Sequence, residues 1–155
     1  MRKRSAGILM FRRSGAGLDV LLVHPGGPYW ARKDLGAWTI PKGEFGEGED
    51  PLAAAMREFQ EETGCVLAGA FLPLGETRQA GGKVVIAFAV EAAIDAEAIR
   101  SNQFAMEWPP KSGRMQEFPE IDRAAWFDLP TAREKINPAQ AVFLERLATA
   151  ISEHH

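Results

Sequence analysis

The sequence predicts an α/β fold in which a mixed sheet is covered by helices. Short apolar runs bounded by Gly, Pro and Ser recur near the start, between 66 and 92, and again before residue 128. A capped helical segment lies between Asp50 and Gly64, and an amphipathic helical pattern follows Pro138. Strands and helices interspersed in this order bury their apolar faces as a sheet with helices packed on it.

Gly7–Phe11 and Asp19–His24 read as strands joined through Ser14-Gly15-Ala16-Gly17, a hairpin signal. Residues 25–37 form a loop rich in Gly, Pro and aromatics, and Trp38-Thr39-Ile40 is a short apolar segment. Gly43–Asp50 is a turn-rich acidic loop. Asp50 then caps a helix, Pro51 occupies its first position, and Gly64 stops it after Thr63. Val66–Arg78 and Lys83–Ala92 look like strands around Gly81-Gly82, followed by a long irregular stretch holding Trp108-Pro109-Pro110 and Ser112-Gly113. Ala124–Phe127 reads as a last strand. Pro138 opens a helix with Val142, Phe143, Leu144, Leu147 and Ile151 on one face.

A chain of 155 residues is sized for one domain spanning 1–155, and its 46 % apolar and 25 % charged shares are those of an ordinary globular protein. No apolar run is long enough to span a membrane. Met1-Arg2-Lys3-Arg4 is basic, but the apolar run after it breaks at Arg12-Arg13 without a cleavage signal, so it reads as the start of a strand. One cysteine, Cys65, excludes an internal disulfide and a cysteine-based zinc site and fits a reducing, cytoplasmic setting. A net charge of −3 argues against DNA or long RNA as partner and leaves a small anionic ligand open. The chain is expected to work as a monomer or homodimer.

The chemistry gathers in Arg57-Glu58-Phe59-Gln60-Glu61-Glu62. On a helix turning ~100° per residue, Glu61 falls about 60° to one side of Glu58 and Glu62 about 40° to the other. Leu52, Ala55, Met56, Phe59 and Thr63 share the adjoining stripe, which should be buried; Ala54 lies on the acidic stripe, where a small side chain would leave room for a ligand. Like charges at these spacings destabilise a helix modestly. A hard divalent cation would relieve them, and so would plain solvation on an exposed face. The helix geometry by itself leaves both open.

The flanking residues add the deciding pattern. Gly43, five residues, Glu49, seven residues, and then Arg57-Glu58-Phe59-Gln60-Glu61-Glu62-Thr63-Gly64-Cys65 resembles the signature box of the Nudix hydrolase family, of the MutT-like kind. Phe59 and Cys65 stand where aliphatic residues are commoner. The resemblance implies an α/β/α sandwich with a mixed sheet. It also implies that Glu58, Glu61 and Glu62 bind Mg²⁺ or Mn²⁺, joined by the backbone carbonyl of Lys42. Glu49 and Arg57 would pair to pin the loop to the helix, and Gly43 and Gly64 would serve backbone geometry.

The implied reaction is hydrolysis of a phosphoanhydride bond in a nucleoside diphosphate derivative by water attacking phosphorus. A base must take the water's proton. In many Nudix members it is a glutamate six residues before an aromatic at the start of the last strand, which points to Glu120 ahead of Trp126, as base or further metal ligand; Glu117 is the nearest competitor. The Pro41-Lys42-Gly43 lead-in is similar to that of members acting on dinucleoside polyphosphates, where the lysine meets a phosphate. Trp30 and Trp108, in loops, are candidates for stacking on a base, while Trp38 and Trp126 read as core. Arg32, Lys33 and Lys111 read mainly as solvated charge, His24 and Cys65 as structural, and His154-His155 as a frayed tail. Two alternatives stand beside a nucleoside triphosphate or dinucleoside polyphosphate hydrolase. One is removal of pyrophosphate from an RNA 5′ end, against which the charge counts. The other is a non-catalytic nucleotide sensor, against which the full set of box glutamates counts.

Overall fold

The computed structural model describes residues 3–15 and 17–153; Ala16 of the expected Ser14–Gly17 hairpin signal, the first two residues and the expected His154-His155 tail lie outside the described residues. The strands are β1 (Arg4–Ser14), β2 (Gly17–Pro25), β3 (Lys42–Glu44), β4 (Phe71–Arg78), β5 (Val84–Glu91), β6 (Gln103–Glu107), β7 (Met115–Pro119) and β8 (Ile121–Asp128). The helices are α1 (Pro51–Thr63), α2 (Leu129–Lys135) and α3 (Ala141–Glu153).

The main sheet runs β4-β5-β1-β2-β8, with β3 added on β1. It is mixed, because β1 pairs parallel with β5 and antiparallel with β2 and β3. Its faces carry separate cores. Leu9 and Phe11 of β1 join Val20, Leu22, Val85, Ala87 and Ala89 beneath Phe143, Leu144 and Leu147 of α3. Ala6, Ile8 and Met10 point the other way, with Leu21 and Val90, against Ala54, Ala55 and Phe59 of α1. Alternation along β1 thus seals both faces, as the period of two in a strand requires. The result is an α/β/α sandwich.

Several elements differ from expectation. The 66–78 strand begins only at Phe71, where pairing with Val90 starts; Val66 is exposed and Gly69 takes φ 135° in the intervening loop. The supposed irregular stretch holds the β6–β7 hairpin, a separate two-stranded sheet with Phe104 opposite Phe118. Pro109, Pro110 and Gly113 occupy the turn rather than breaking the strands. Helix α2 is too short to show a periodic stripe, and its start rests on Asp128 accepting from the Thr131 N–H. Ala54 is fully buried, so its small side chain lets the helix lie close to the sheet instead of leaving room for a ligand. Among the described residues no helix is long and apolar enough to cross a membrane.

Candidate active site

Helix α1 is fixed at both ends. The Asp50 carboxylate accepts from the Ala53 N–H at 2.9 Å, and Gly64 turns left-handed at φ 79° while its N–H reaches the Gln60 carbonyl. Phe59 and Ala55 anchor the helix on β1. Glu62, three residues after Phe59, is thereby rotated toward the sheet and is only 7 % exposed. Glu58 is largely covered and Glu61 more open.

Strand β3 closes the site from the other side. Lys42 faces Gly7 of β1 in a register whose neighbouring pairs carry the hydrogen bonds, such as Ile8 N–H to the Pro41 carbonyl. The N–H and C=O of Lys42 therefore point away from β1. The N–H is directed toward the Glu62 carboxylate and favours its charged form, and the carbonyl leaves the strand on the same side. Gly43 lies directly against Glu58: a Cβ there would stand 2.0 Å from Oε2. Its need for glycine is this close approach, whereas Gly64 needs its positive φ. Arg57 ties the row together, donating from Nη2 to Glu49 at 2.9 Å while its Nη1 lies 3.3 Å from Glu58 and 3.9 Å from Glu61.

The electrostatics are those of carboxylates short of positive charge. Burial, then the Glu58 charge, push Glu62 up to about 9, opposed by the Lys42 ammonium and N–H. Burial, then Glu61, push Glu58 upward against the pull of Arg57. Burial holds the Lys42 ammonium below its ordinary value, partly offset by Glu62. Among the described residues no three His, Cys, Asp or Glu side chains are gathered closely enough to hold a metal ion by themselves. An open row of oxygen donors fits Mg²⁺ or Mn²⁺, which keep waters and take phosphate oxygens rather than an all-protein shell. Glu58, Glu61, Glu62 and the Lys42 carbonyl are the groups that could hold such an ion.

Glu120 lies between β7 and β8, and its charge acts on both Glu58 and Glu62. Its backbone is held on both sides: its N–H donates to Asn102 O at 2.9 Å and its carbonyl accepts from Gly26 N–H at 2.9 Å. Asn102 N–H in turn donates to Glu61 O of α1 at 3.1 Å. The Ser101 hydroxyl reinforces this junction, accepting from Ile121 N–H at 3.1 Å. Glu117 instead lies exposed in the β7 ladder opposite Ala105.

A cleft of about 260 Å³ brings Lys42 together with Trp30, which is 40 % exposed. Gln79, Asn137 and Gln140 share its wall and have no spacing signal in the sequence that would have found them. Trp108 does not line this cleft; it packs edge-on against Tyr29 with centroids 5.3 Å apart. Trp38 is buried against His24 and Phe127, and the Trp126 indole N–H donates to Ile94 O. Buried His24 lies 2.7 Å from Asp122 and 2.6 Å from Lys33 O, linking the 25–37 loop to β8. Lys33 stands 5.0 Å from the Trp30 ring, Arg32 is exposed, and Lys111 sits in the β6–β7 turn with its N–H on Glu107. Cys65 packs at the edge of the core beneath α1.

The NUDIX domain family model matches residues 1–147. The chain is 64 % identical over 33 residues to Nudix hydrolase 25 of Arabidopsis thaliana, covering 21 % of this chain and 19 % of that one. It is 31 % identical over 134 residues to an octanoyltransferase of Myxococcus xanthus, covering 86 % of this chain and 33 % of that protein. The chain thus spans between a fifth and a third of the length of these curated relatives. A crystal structure of a C. elegans Ap4A hydrolase binary complex superposes with TM-score 0.65 at 20 % identity, covering 96 % of this chain and 98 % of that one, and shares its fold. Matched along nearly its whole length, the chain belongs to the Nudix hydrolase family.

Proposed function

We propose that this chain hydrolyses a phosphoanhydride bond in a nucleoside triphosphate or dinucleoside polyphosphate, with water attacking phosphorus and Mg²⁺ or Mn²⁺ as cofactor. One observation carries the reading. Buried Glu62 faces the Lys42 amide and Glu58, and a carboxylate from outside the helix, Glu120, acts on the same pair. Burying charge in this way is costly unless something compensates it.

In this reading Glu58, Glu61, Glu62 and the Lys42 carbonyl hold the ion. When bound, the ion supplies neutralisation of the diphosphate oxygens and acidification of a water. Glu120 accepts the water's proton or joins the ligands, its position held by Asn102 and Gly26. The Lys42 side chain meets a phosphate beyond the bond that breaks, and Trp30 offers a face to the base. Gly43, Glu49, Arg57 and Gly64 keep the loop and helix in place and do not touch the substrate.

Release of phosphate or pyrophosphate should be followed with Mg²⁺ or Mn²⁺ over triphosphates, dinucleoside polyphosphates, nucleotide sugars and triphosphorylated RNA. Turnover of a triphosphate or dinucleoside polyphosphate that is abolished by chelator and in Glu62→Gln is the expected result. Nucleotide binding without turnover of any compound would overturn it in favour of a sensor.

A further inference from the structure

The amides in the cleft have a polarity that backbone donors dictate. Gln140 is fully buried, and its Oε1 accepts from Ile40 N–H at 3.0 Å. A backbone N–H can only donate, so that atom is oxygen and the other end of the amide is NH₂. The NH₂ donates to Gln79 at 2.9 Å, which makes the accepting atom the Gln79 oxygen and leaves the Gln79 NH₂ over. Asn137 follows the same logic: its Oδ1 accepts from Ala139 N–H at 2.9 Å, which leaves its NH₂ over. Among the described residues no buried side-chain nitrogen or oxygen lacks a partner, so both leftover NH₂ groups are accessible, and both residues line the cleft. Lys42 adds a third group that only donates, and Trp30 supplies an aromatic wall.

We propose that this cleft selects the substrate's base by its acceptor atoms, favouring a 6-oxopurine over a 6-aminopurine. The inference rests on the nucleotide hydrolase reading and adds the base to it. Guanine and hypoxanthine carry O6 and N7 side by side as acceptors, whereas adenine places an NH₂ donor at position 6. With the two amides against the position-6 and N7 edge of the base, adenine sets its amino group donor against donor and keeps only N7 to accept there, and a site built to hydrogen-bond one group rejects the analogue that cannot. A second phosphate is also an acceptor-only group, so the assay must separate base from phosphate.

The test compares kcat/KM for ITP, GTP and ATP with Mg²⁺, which hold the triphosphate constant, and for Gp4G against Ap4A. ITP and GTP should exceed ATP by roughly tenfold or more, the discrimination typical of a paired contact. Gln79→Glu keeps an oxygen for Gln140 and turns the free donor into an acceptor, and Asn137→Asp does the same while keeping its bond to Ala139. Each should bring the ITP:ATP ratio to about one or reverse it. The ratio cancels any general loss of catalysis. An ITP:ATP ratio within twofold in the unaltered chain overturns the proposal, as does an unchanged ratio in both variants, or rates that follow phosphate number and ignore the base. If no nucleotide is hydrolysed, the same ratio is read from dissociation constants of ITP and ATP by calorimetry. A base preference there upholds the cleft while the hydrolase reading falls; equal affinities overturn the cleft.

Discussion

Replacing Gly43 by alanine would set a methyl group 2.0 Å from Oε2 and 2.1 Å from Cδ of Glu58. Ordinary contact begins near 3.4 Å, so the carboxylate must retreat by about 1.4 Å, the difference between 3.4 and 2.0. The group that yields is the end of a flexible side chain, and forcing it off its rotamer costs on the order of 1 kcal/mol. Gly43 is not among the residues with positive φ, so alanine meets no backbone strain, and the stiffer unfolded chain offsets about 0.4–1 kcal/mol. Stability should be nearly unchanged. In the proposed role of Glu58 as a metal ligand, a displacement of more than 1 Å is another matter, and a rate loss of roughly 100-fold is expected. Gly64→Ala makes the opposite prediction: φ of +79° costs about 1–2 kcal/mol, and its Cβ would press Arg100 O at 3.2 Å, so the melting temperature falls by several degrees. Calorimetric Mn²⁺ titration, kcat and thermal unfolding in chelator should be measured on both variants. If Gly43→Ala binds Mn²⁺ and turns over like the unaltered chain, Glu58 is not a ligand in the orientation described.

Other perturbations separate the carboxylates. Because Glu62 is raised in the folded chain to about 9, its protonated form is favoured there, so metal-free stability should be highest below the ordinary carboxylate value and decline as pH climbs toward 9. Mn²⁺ affinity should rise over the same window, since the ion replaces a proton; a metal-free melting curve that is flat with pH, or one equally steep in Glu62→Gln, counts against this. Glu120→Gln should lower kcat by about 10²–10⁴-fold, whereas Glu117→Gln should stay within about twofold; equal effects would remove Glu120 from the site. Ser101→Ala should reduce kcat with KM held, and Ser101→Thr should restore much of it, because the hydroxyl acts only through the backbone beside Glu120. A KM change alone would refute that positioning role.

The sequence made α1 legible because its information is local: a cap, a proline, a terminal glycine and fixed spacings among charged residues. The same spacings placed three carboxylates on one side of the helix. They did not show that Glu62 is turned into the sheet, since burial depends on what Phe59 and Ala55 pack against. Helix α2 and the β6–β7 hairpin escaped notice because each is short and their proline-rich ends resemble loops. Gln79, Asn137 and Gln140 escaped for a different reason. Gln79 and Gln140 pair across 61 positions, and polar residues in turns carry no pattern until the fold brings them together.

The position of Lys42 shows how little of a site must be local. One edge of β1 is taken by β5 along residues 4–11, while the other is shared: β2 holds Phe11–Ser14 and β3 holds Ser5–Gly7. Where β2 leaves β1 it bridges to Thr39 instead, and this split admits Lys42 and Gly43 beside the box helix. The local trace of that pairing is Gly7, which reads in isolation as an ordinary strand residue. A Cβ at Gly7 would meet Pro41 O at 2.6 Å and Lys42 Cβ at 2.7 Å. These obstructions lie on or next to backbone, so no rotamer relieves them as one does at Gly43. Alanine at Gly7 would have to push β3 away from β1, drawing off the Lys42 N–H that opposes the burial of the Glu62 carboxylate. The box helix therefore depends for its chemistry on a glycine 36 positions before the box begins, counted from Gly7 to Gly43.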